Sequence, residues 1–303
     1  MNLNPTLSDK ELKKLNKIPS PLSLAWKEIR RDRFALFCLC LFVFLVGGAF
    51  IGGFFFIDEA EALRFPSFVY RNRSPAVHGR LGTDGSGRDM FLILILSMRN
   101  SLALTFTVVP ITQTIGNTMG LFVGYYAGYF DLVVMRIVEF FIMVPTMMVI
   151  IVIISLMPHY GVFQLAAVLI FMGWFAGIGS TRARTLQEGR KDYVSASKTL
   201  GTPNIIIIFK KVLPNVISFI MVGLILGLAG GIGLETGLTI LGYGLPTGTP
   251  SIGFIIANAL RPAVLRDMWW QWFPGVFVVF LLTLSIYGIG YAISRAVNPR
   301  QRR

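Results

Sequence analysis

An all-α integral membrane protein with six transmembrane helices is the fold this sequence predicts, and three observations carry it. More than half of the 303 residues are hydrophobic (54%) and only 14% are charged, more apolar sequence than a water-soluble core of this size can hide. Six charge-poor apolar runs recur along the chain, each about 20 residues or longer and so able to span a ~30 Å hydrocarbon core as a helix. The basic residues concentrate in polar segments between alternate runs, which is how a multi-span chain encodes its orientation.

Taken in order, residues 1–33 form a basic tail. It is too long and mixed for the charged start of a signal peptide, and the apolar run after it is too long for a signal core. Within it, residues 22–33 place Leu22, Trp26 and Ile29 on one side of a short helix, which suits either the membrane surface or a plain basic flank. Residues 34–57 are uncharged and form the first span. Residues 58–100 are a polar loop with Pro66, Pro75 and the turn-rich stretch LGTDGSGRD at 81–89. The loop ends in an apolar stretch, 90–98, too short to cross and read as an interfacial helix.

The second span, 101–130, carries Gly116, Gly120, Gly124 and Gly128 at a four-residue period. In lipid such a stripe lets a neighbouring helix approach closely. Residues 131–136 form a turn. The third span, 137–157, contains Pro145, which kinks it. The fourth, 161–181, has Gly173 and Gly177 four apart, and the longest polar interruption, 182–215, follows. The fifth span, 214–241, repeats the stripe with Gly223, Gly227 and Gly231. Residues 243–267 read as a proline-rich loop. Trp269, Trp270 and Trp272 form an interfacial belt, and the sixth span runs to Ser294 before a basic tail, 295–303. The layout is tail, first span, loop, a five-span core (101–294) that includes the polar segment 182–215, and tail.

Of the 28 Lys and Arg residues, 20 lie in the two tails, the 131–136 turn and the 182–215 segment, and 8 lie on the opposite side. The asymmetry places both termini and the polar segment in the cytoplasm, and six spans keep the two basic ends together. It also accounts for the net charge of +13 without nucleic acid as a partner. Cys38 and Cys40 point about 200° apart on a helix and cannot pair. His78 and His159 are isolated, so no metal site is expected. Residues 227–237 (GLAGGIGLETG) are rich in glycine but lack the Gly-Lys-Ser/Thr of a phosphate loop and lie within a span, which favours helix packing. No cofactor is expected on this chain.

The polar segment is too basic to enter lipid. Residues 192–200 read as a short helix with Tyr193, Ala196 and Leu200 on one face and Lys198 on the exposed side. Gly201 is suited to a left-handed stop, and Thr202-Pro203 to a restart as cap and first helical position. Two readings stand: an amphipathic loop resting on lipid headgroups, or a handle gripped from outside the membrane. Glu139 and Glu235 lie at or near membrane depth, where an ionisable group is a functional candidate by default. Arg136, three residues before Glu139, allows a local ion pair. Glu235 either lines a cavity or reaches for the interface.

Ser195-Ala196-Ser197, Gly201 and Leu213-Pro214 resemble, in spacing, the Glu-Ala-Ala, Gly and Leu-Pro pattern of the EAA loop in importers of the ATP-binding-cassette superfamily. Ser195 stands where that loop has its glutamate, and Ser197 where it has its second alanine. The stretch LGTDGSGRD is similar to the LGTDxxGRD signature of the inner-membrane permeases for peptides, nickel and opines. Residues 124–145, 234–253 and 269–274 and the Asn298-Pro299 pair resemble later blocks of that branch in the same order. The resemblance covers roughly 25–299, and the extra first span resembles the C-type subunit.

The resemblance implies a type I importer permease core (MetI-like) with one additional N-terminal span, seated in the cell membrane. It implies a heterodimer with a second homologous permease, two cytoplasmic ATPases that bind ATP and Mg, an extracytoplasmic substrate-binding protein, and peptides as cargo. It also implies that Tyr193, Ala196, Ser197, Lys198, Leu200 and Gly201 dock on the ATPase while the chain itself performs no chemistry. The same machine carrying nickel or a metal chelate is one alternative. A secondary carrier or channel is another, although carriers typically show an inverted repeat, and none is evident here.

Overall fold

Five helices among the described residues are long and apolar enough to cross a membrane: Arg33–Phe56, Met90–Tyr126, Val162–Gly189, Asn204–Ile240 and Phe273–Ala296. A sixth crossing is supplied by a pair, Gly128–Met143 and Thr146–Ser155, bent by 75°. The computed structural model describes residues 21–63, 68–75, 77 and 80–297. The basic stretches 1–20 and 298–303, Arg64, Pro66, His78 and the Asn298-Pro299 pair lie outside them.

Helix α1 (Pro21–Arg31) leads into α2 (Arg33–Ile51), whose last turn widens over Gly52–Phe56. Asp32 separates the two helices and caps the second by accepting from the backbone N–H groups of Phe34 and Ala35. Its other oxygen pairs with Arg295 near the far end of the chain, which ties the first span to the last. These two spans meet closely, because a Cβ on Gly288 would sit 2.4 Å from Cys38 Sγ. Both cysteines are free.

A short α3 (Glu59–Ala62) precedes α4 (Met90–Tyr126). Asp89 caps α4, its Oδ1 accepting from Phe91 N (2.7 Å) and Leu92 N (3.4 Å). At 37 residues and 1.5 Å per residue, α4 is about 55 Å long and outruns the bilayer core. The interfacial helix expected at 90–98 is therefore the first part of the second span. Arg99 and Asn100 looked like a break between the two, but their polar groups are satisfied by Gly53 O, Glu59 and Pro250 O, so the helix runs on through them.

The second span ends at Tyr126, not at Phe130. Ala127 and Gly128 both take positive φ (51° and 62°) and turn the chain into α5 (Gly128–Met143). The turn expected at 131–136 is accordingly helix. Pro145 separates α5 from α6 (Thr146–Ser155). Next come α7 (Val162–Gly173) and α8 (Phe175–Gly189), interrupted only at Trp174. Residues 182–189, expected as loop, are the last two turns of α8.

Beyond α9 (Asp192–Thr199), α10 (Asn204–Ile207) runs through a widened turn, Ile208–Val212, into α11 (Leu213–Ile240). The fifth crossing thus begins ten residues before Pro214. The wide turn sits where Pro214 removes a backbone donor from the ladder. The stretch read as loop at 243–267 folds into α12 (Ile252–Ala257) and α13 (Pro262–Asp267). Ser251 caps α12 by accepting from Phe254 N (3.1 Å), and Pro262 opens α13 as its first residue. Trp270 departs from the expected belt: it is buried, with Nε1 donating to Thr83 O (3.2 Å), while Trp269 stays exposed. Helix α14 (Phe273–Val297) completes the bundle.

The centre of the bundle is α4 against α8. A Cβ on Gly116 would stand 2.4 Å from Trp174 O, one on Gly120 2.8 Å from Ile178 O, and one on Gly124 2.7 Å from Arg182 O. Three glycines four apart thus receive three carbonyls four apart, and the two backbones lie in direct contact. Gly128 falls outside this seam because α4 has already ended. Nearer the start of α4, on the same face, Gly227 and Gly231 of α11 pack on Gln113, Val109 and Thr105.

Candidate functional site

The polar stretch 182–215 folds as the end of α8, a tight turn and a short helix laid across one end of the bundle. Lys191 pairs with Glu188 (2.7 Å) where the chain leaves α8. Val194 is completely buried in a cluster with Leu121, Tyr125, Ile207, Ile208, Val212 and Val216. The third residue of α9 therefore pins it to α4, α10 and α11. Tyr193 adds a polar clamp: its hydroxyl donates to Glu188 Oε1 (2.9 Å) and accepts from Asn215 Nδ2 (3.2 Å). Burial, reinforced by the Glu188 carboxylate, pushes the Tyr193 phenol up to about 12, so it remains a neutral hydroxyl around pH 7.

Two further contacts meet at Tyr125 of α4, one from α10 and one from the outer end of α9. Tyr125 donates to Asn204 Oδ1 (2.8 Å), and Lys198 Nζ lies 4.7 Å from the centre of the Tyr125 ring, within range of a cation–π attraction. The helix closes at Gly201, where φ is +73°. The N–H groups of Gly201 and Thr202 donate back to Lys198 O (3.0 Å) and Ser197 O (3.1 Å). A Cβ at Gly201 would meet nothing within 4 Å. The backbone angle, not space, calls for glycine here.

The structure divides the six residues singled out from sequence. Tyr193 is half-buried, whereas Lys198 is exposed as expected, with its ammonium over the Tyr125 ring. Ser197 donates to Tyr193 O (2.8 Å) within the helix. Ala196 and Leu200 face outward, and Leu200 is 83% exposed. Tyr193 differs from them in burial: its hydroxyl turns in to Glu188 and Asn215, while Ala196 and Leu200 stay exposed. Ser195 is exposed beside them. Ile205, Ile206 and Phe209 are exposed too, as are Arg190, Lys191, Lys210 and Lys211. Sequence reasoning missed Val194. The available signal was the apolar run 205–209, whose inner side needs a partner.

Val194→Asp places a charge in this sealed cluster, at a cost of at least about 3 kcal/mol. It is expected to release α9 and abolish transport while the protein stays in the membrane fraction. Uptake assays on membranes with matched protein content check this.

The two acidic candidates differ sharply. Glu139 pairs with Arg136 (2.9 Å), with both side chains well exposed. Glu235 is 2% exposed, so it does not reach for the interface. It borders a cavity of ≈ 250 Å³ together with Thr105, Gln113, Gly227, Gly231 and Leu234, and its carboxylate accepts from Ser101 and Thr239. A third acid, Asp131, was not singled out. It is buried at the start of α5 and paired with Arg182 of α8.

The family described as binding-protein-dependent transport system inner membrane component matches residues 116–303. A second, described as the N-terminal TM domain of oligopeptide transport permease C, matches residues 20–66. The chain is 41% identical over 229 residues to the oligopeptide transport system permease protein OppC of Lactococcus lactis subsp. lactis (strain IL1403), covering 75% of this chain and 78% of that protein. It is 32% identical over 283 residues to the dipeptide transport system permease protein DppC of Bacillus subtilis (strain 168), covering 92% and 86%. It is 28% identical over 294 residues to the DppC protein of Haemophilus influenzae, covering 94% and 96%.

Proposed function

The chain belongs to the binding-protein-dependent transport system inner membrane component family, and on that premise we propose that it is the C-type permease subunit of an ATP-driven importer of peptides. It forms half of a permease heterodimer. Two cytoplasmic ATPases hydrolyse ATP with Mg, and an extracytoplasmic binding protein delivers the peptide. Both termini and α9 face the cytoplasm, as the distribution of basic residues supports.

The observation that carries this reading is the build of α9. Its inner side is fixed by Val194 and Tyr193, while Ser195, Ala196, Thr199 and Leu200 are left bare. An exposed leucine on a rigidly seated helix fits a groove on a partner protein. A push on α9 is carried to α8 through Tyr193 and Glu188, and to α4 and α11 through the Val194 cluster. The relatives' names, oligopeptide and dipeptide, favour peptide over a nickel chelate. An ATP-independent carrier is distinguished by uptake that persists without the ATPases.

Gly201→Val tests the coupling helix. A β-branched residue resists φ of +73° by roughly 1–2 kcal/mol, so the end of α9 is re-aimed without any clash. The complex is expected to assemble and to lose uptake, while Gly201→Asn, which tolerates the left-handed region, retains most of it. Normal uptake by Gly201→Val in proteoliposomes would remove α9 as the point of coupling.

A further inference from the structure

Three consecutive residues near the start of α4 grip three separate parts of the chain. Arg99 donates to Gly53 O (2.9 Å) at the end of the first span and pairs with Glu59 (2.7 Å). Asn100 donates to Pro250 O (2.9 Å). Ser101 donates to Glu235 Oε2 (3.0 Å) on α11 and accepts the Ile252 N–H (3.0 Å) at the start of α12. Glu235 completes the set, its Oε1 accepting from Thr239 one turn further along α11 (2.8 Å). Ser101, Glu235 and Ser251 are all buried.

A carboxylate sealed between membrane helices is costly and survives there only when well hydrogen-bonded. The partners given to Glu235 are hydroxyls, and one of them also holds the backbone of the stretch leading into α12. Ser101 needs an acceptor for its proton if its oxygen is to stay turned toward Ile252 N. The seat of residues 250–257 therefore depends on a side chain from a different helix, α11.

We propose that Glu235 is a positioning residue of the transport cycle: through Ser101 it holds residues 250–257 against α4 and α11, and that segment moves only when this chain of bonds opens. The inference rests on the importer reading, in which 250–257 lies on the extracytoplasmic side where the binding protein delivers cargo. Glu235 acts through Ser101. Its role needs a hydrogen-bond acceptor, so a glutamine serves and an alanine does not.

The test uses the assembled complex in proteoliposomes, with Cys38→Ala and Cys40→Ala as background and Phe254→Cys as reporter, Phe254 being 41% exposed. With Glu235→Ala, labelling of the reporter by a membrane-impermeant maleimide is expected to speed up as much as about tenfold, the upper end of what losing one buried hydrogen bond gives. ATP hydrolysis without the binding protein should rise relative to hydrolysis with it. Glu235→Gln should keep both near the parent values.

A purely structural role would lower the yield of complex without changing the labelling rate per folded complex or that hydrolysis ratio. Unchanged labelling and an unchanged ratio in Glu235→Ala overturn the proposal. So does Glu235→Gln behaving like Glu235→Ala, since the role would then belong to charge. Should Glu235→Ala fail to assemble, Ser101→Ala cuts the same chain at its hydroxyl and is read in the same way. Failure of the importer reading is separate: the parent complex would then show no ATP-driven uptake, while the labelling comparison would still report on the hold.

Discussion

Replacing Gly120 with leucine is expected to leave no folded protein in the membrane. Gly120 is the middle of the three glycines that receive α8. Even a bare Cβ there would lie 2.8 Å from Ile178 O, 2.9 Å from Thr181 Cβ and 3.1 Å from Arg182 N. Two of these neighbours are backbone atoms of a helix with carbonyls fixed in its own ladder, so none can step aside by changing rotamer. A leucine must push the two helices apart by ångströms along the whole seam. That separates Gly116 from Trp174 and Gly124 from Thr185, and it forfeits the packing that drives helix association in lipid. The expected cost exceeds the roughly 1–3 kcal/mol of an overpacked but yielding core. Extraction in mild detergent followed by size-exclusion chromatography reads the outcome. The control is Gly223→Leu on α11, where a Cβ meets nothing within 4 Å within this chain. Normal yield of Gly120→Leu would mean that α4 and α8 are not packed as described.

The five long crossings were legible because each is longer and more apolar than any soluble core requires. The glycine period on α4 was legible because lipid leaves close packing as the main force between helices. What could not be read were the ends. Arg99-Asn100, Asp131 and residues 182–189 were each taken as a boundary, since a polar group at the membrane edge suggests that a helix has stopped. In each case the polar group lies inside a helix, because a partner distant in sequence satisfies it. Arg99 uses Gly53 and Glu59, Asp131 uses Arg182, and Arg184 stacks on Phe219 with 5.0 Å between Cζ and the ring centre. Periodicity reports which side of a helix is apolar and is blind to such partners. The same blindness hid Val194: a single valine in a polar stretch has no period, and its importance comes from Ile207, Ile208 and Val212 folding back over it. Glu235 was visible as an acid in an apolar run, but the hydroxyls around it come from α4 and from its own next turn.

Asp131→Ala is expected to destabilise the protein by about 3 kcal/mol and to impair uptake in whatever fraction still folds. The pair with Arg182 is bidentate, with the guanidinium presenting two nitrogens to two carboxylate oxygens. Its exposure is low, 11% for the Asp131 side chain and 28% for that of Arg182. Removing one partner from such a pair costs more than the pair contributes, because the other charge stays behind in poor solvent. Asp131→Ala with Arg182→Met should therefore be more stable than Asp131→Ala alone, with a coupling of at least 1.5 kcal/mol or so in a double-mutant cycle, read from thermal melts of the purified complex. The consequence for transport follows from where Arg182 sits. Six residues further along α8, Glu188 holds Tyr193 and so the seat of α9. Arg182 fixes α8 to α5 just before that point, next to the Gly124 contact. Freed from Asp131, the end of α8 keeps its glycine seam but loses its hold on the bent third crossing, so motion of α9 is no longer passed to α5. A double variant destabilised by the sum of the two single variants would show that the pair has no coupling. The apolar contacts of Val138, Phe175 and Ile178 would then have to hold the α5–α8 joint alone.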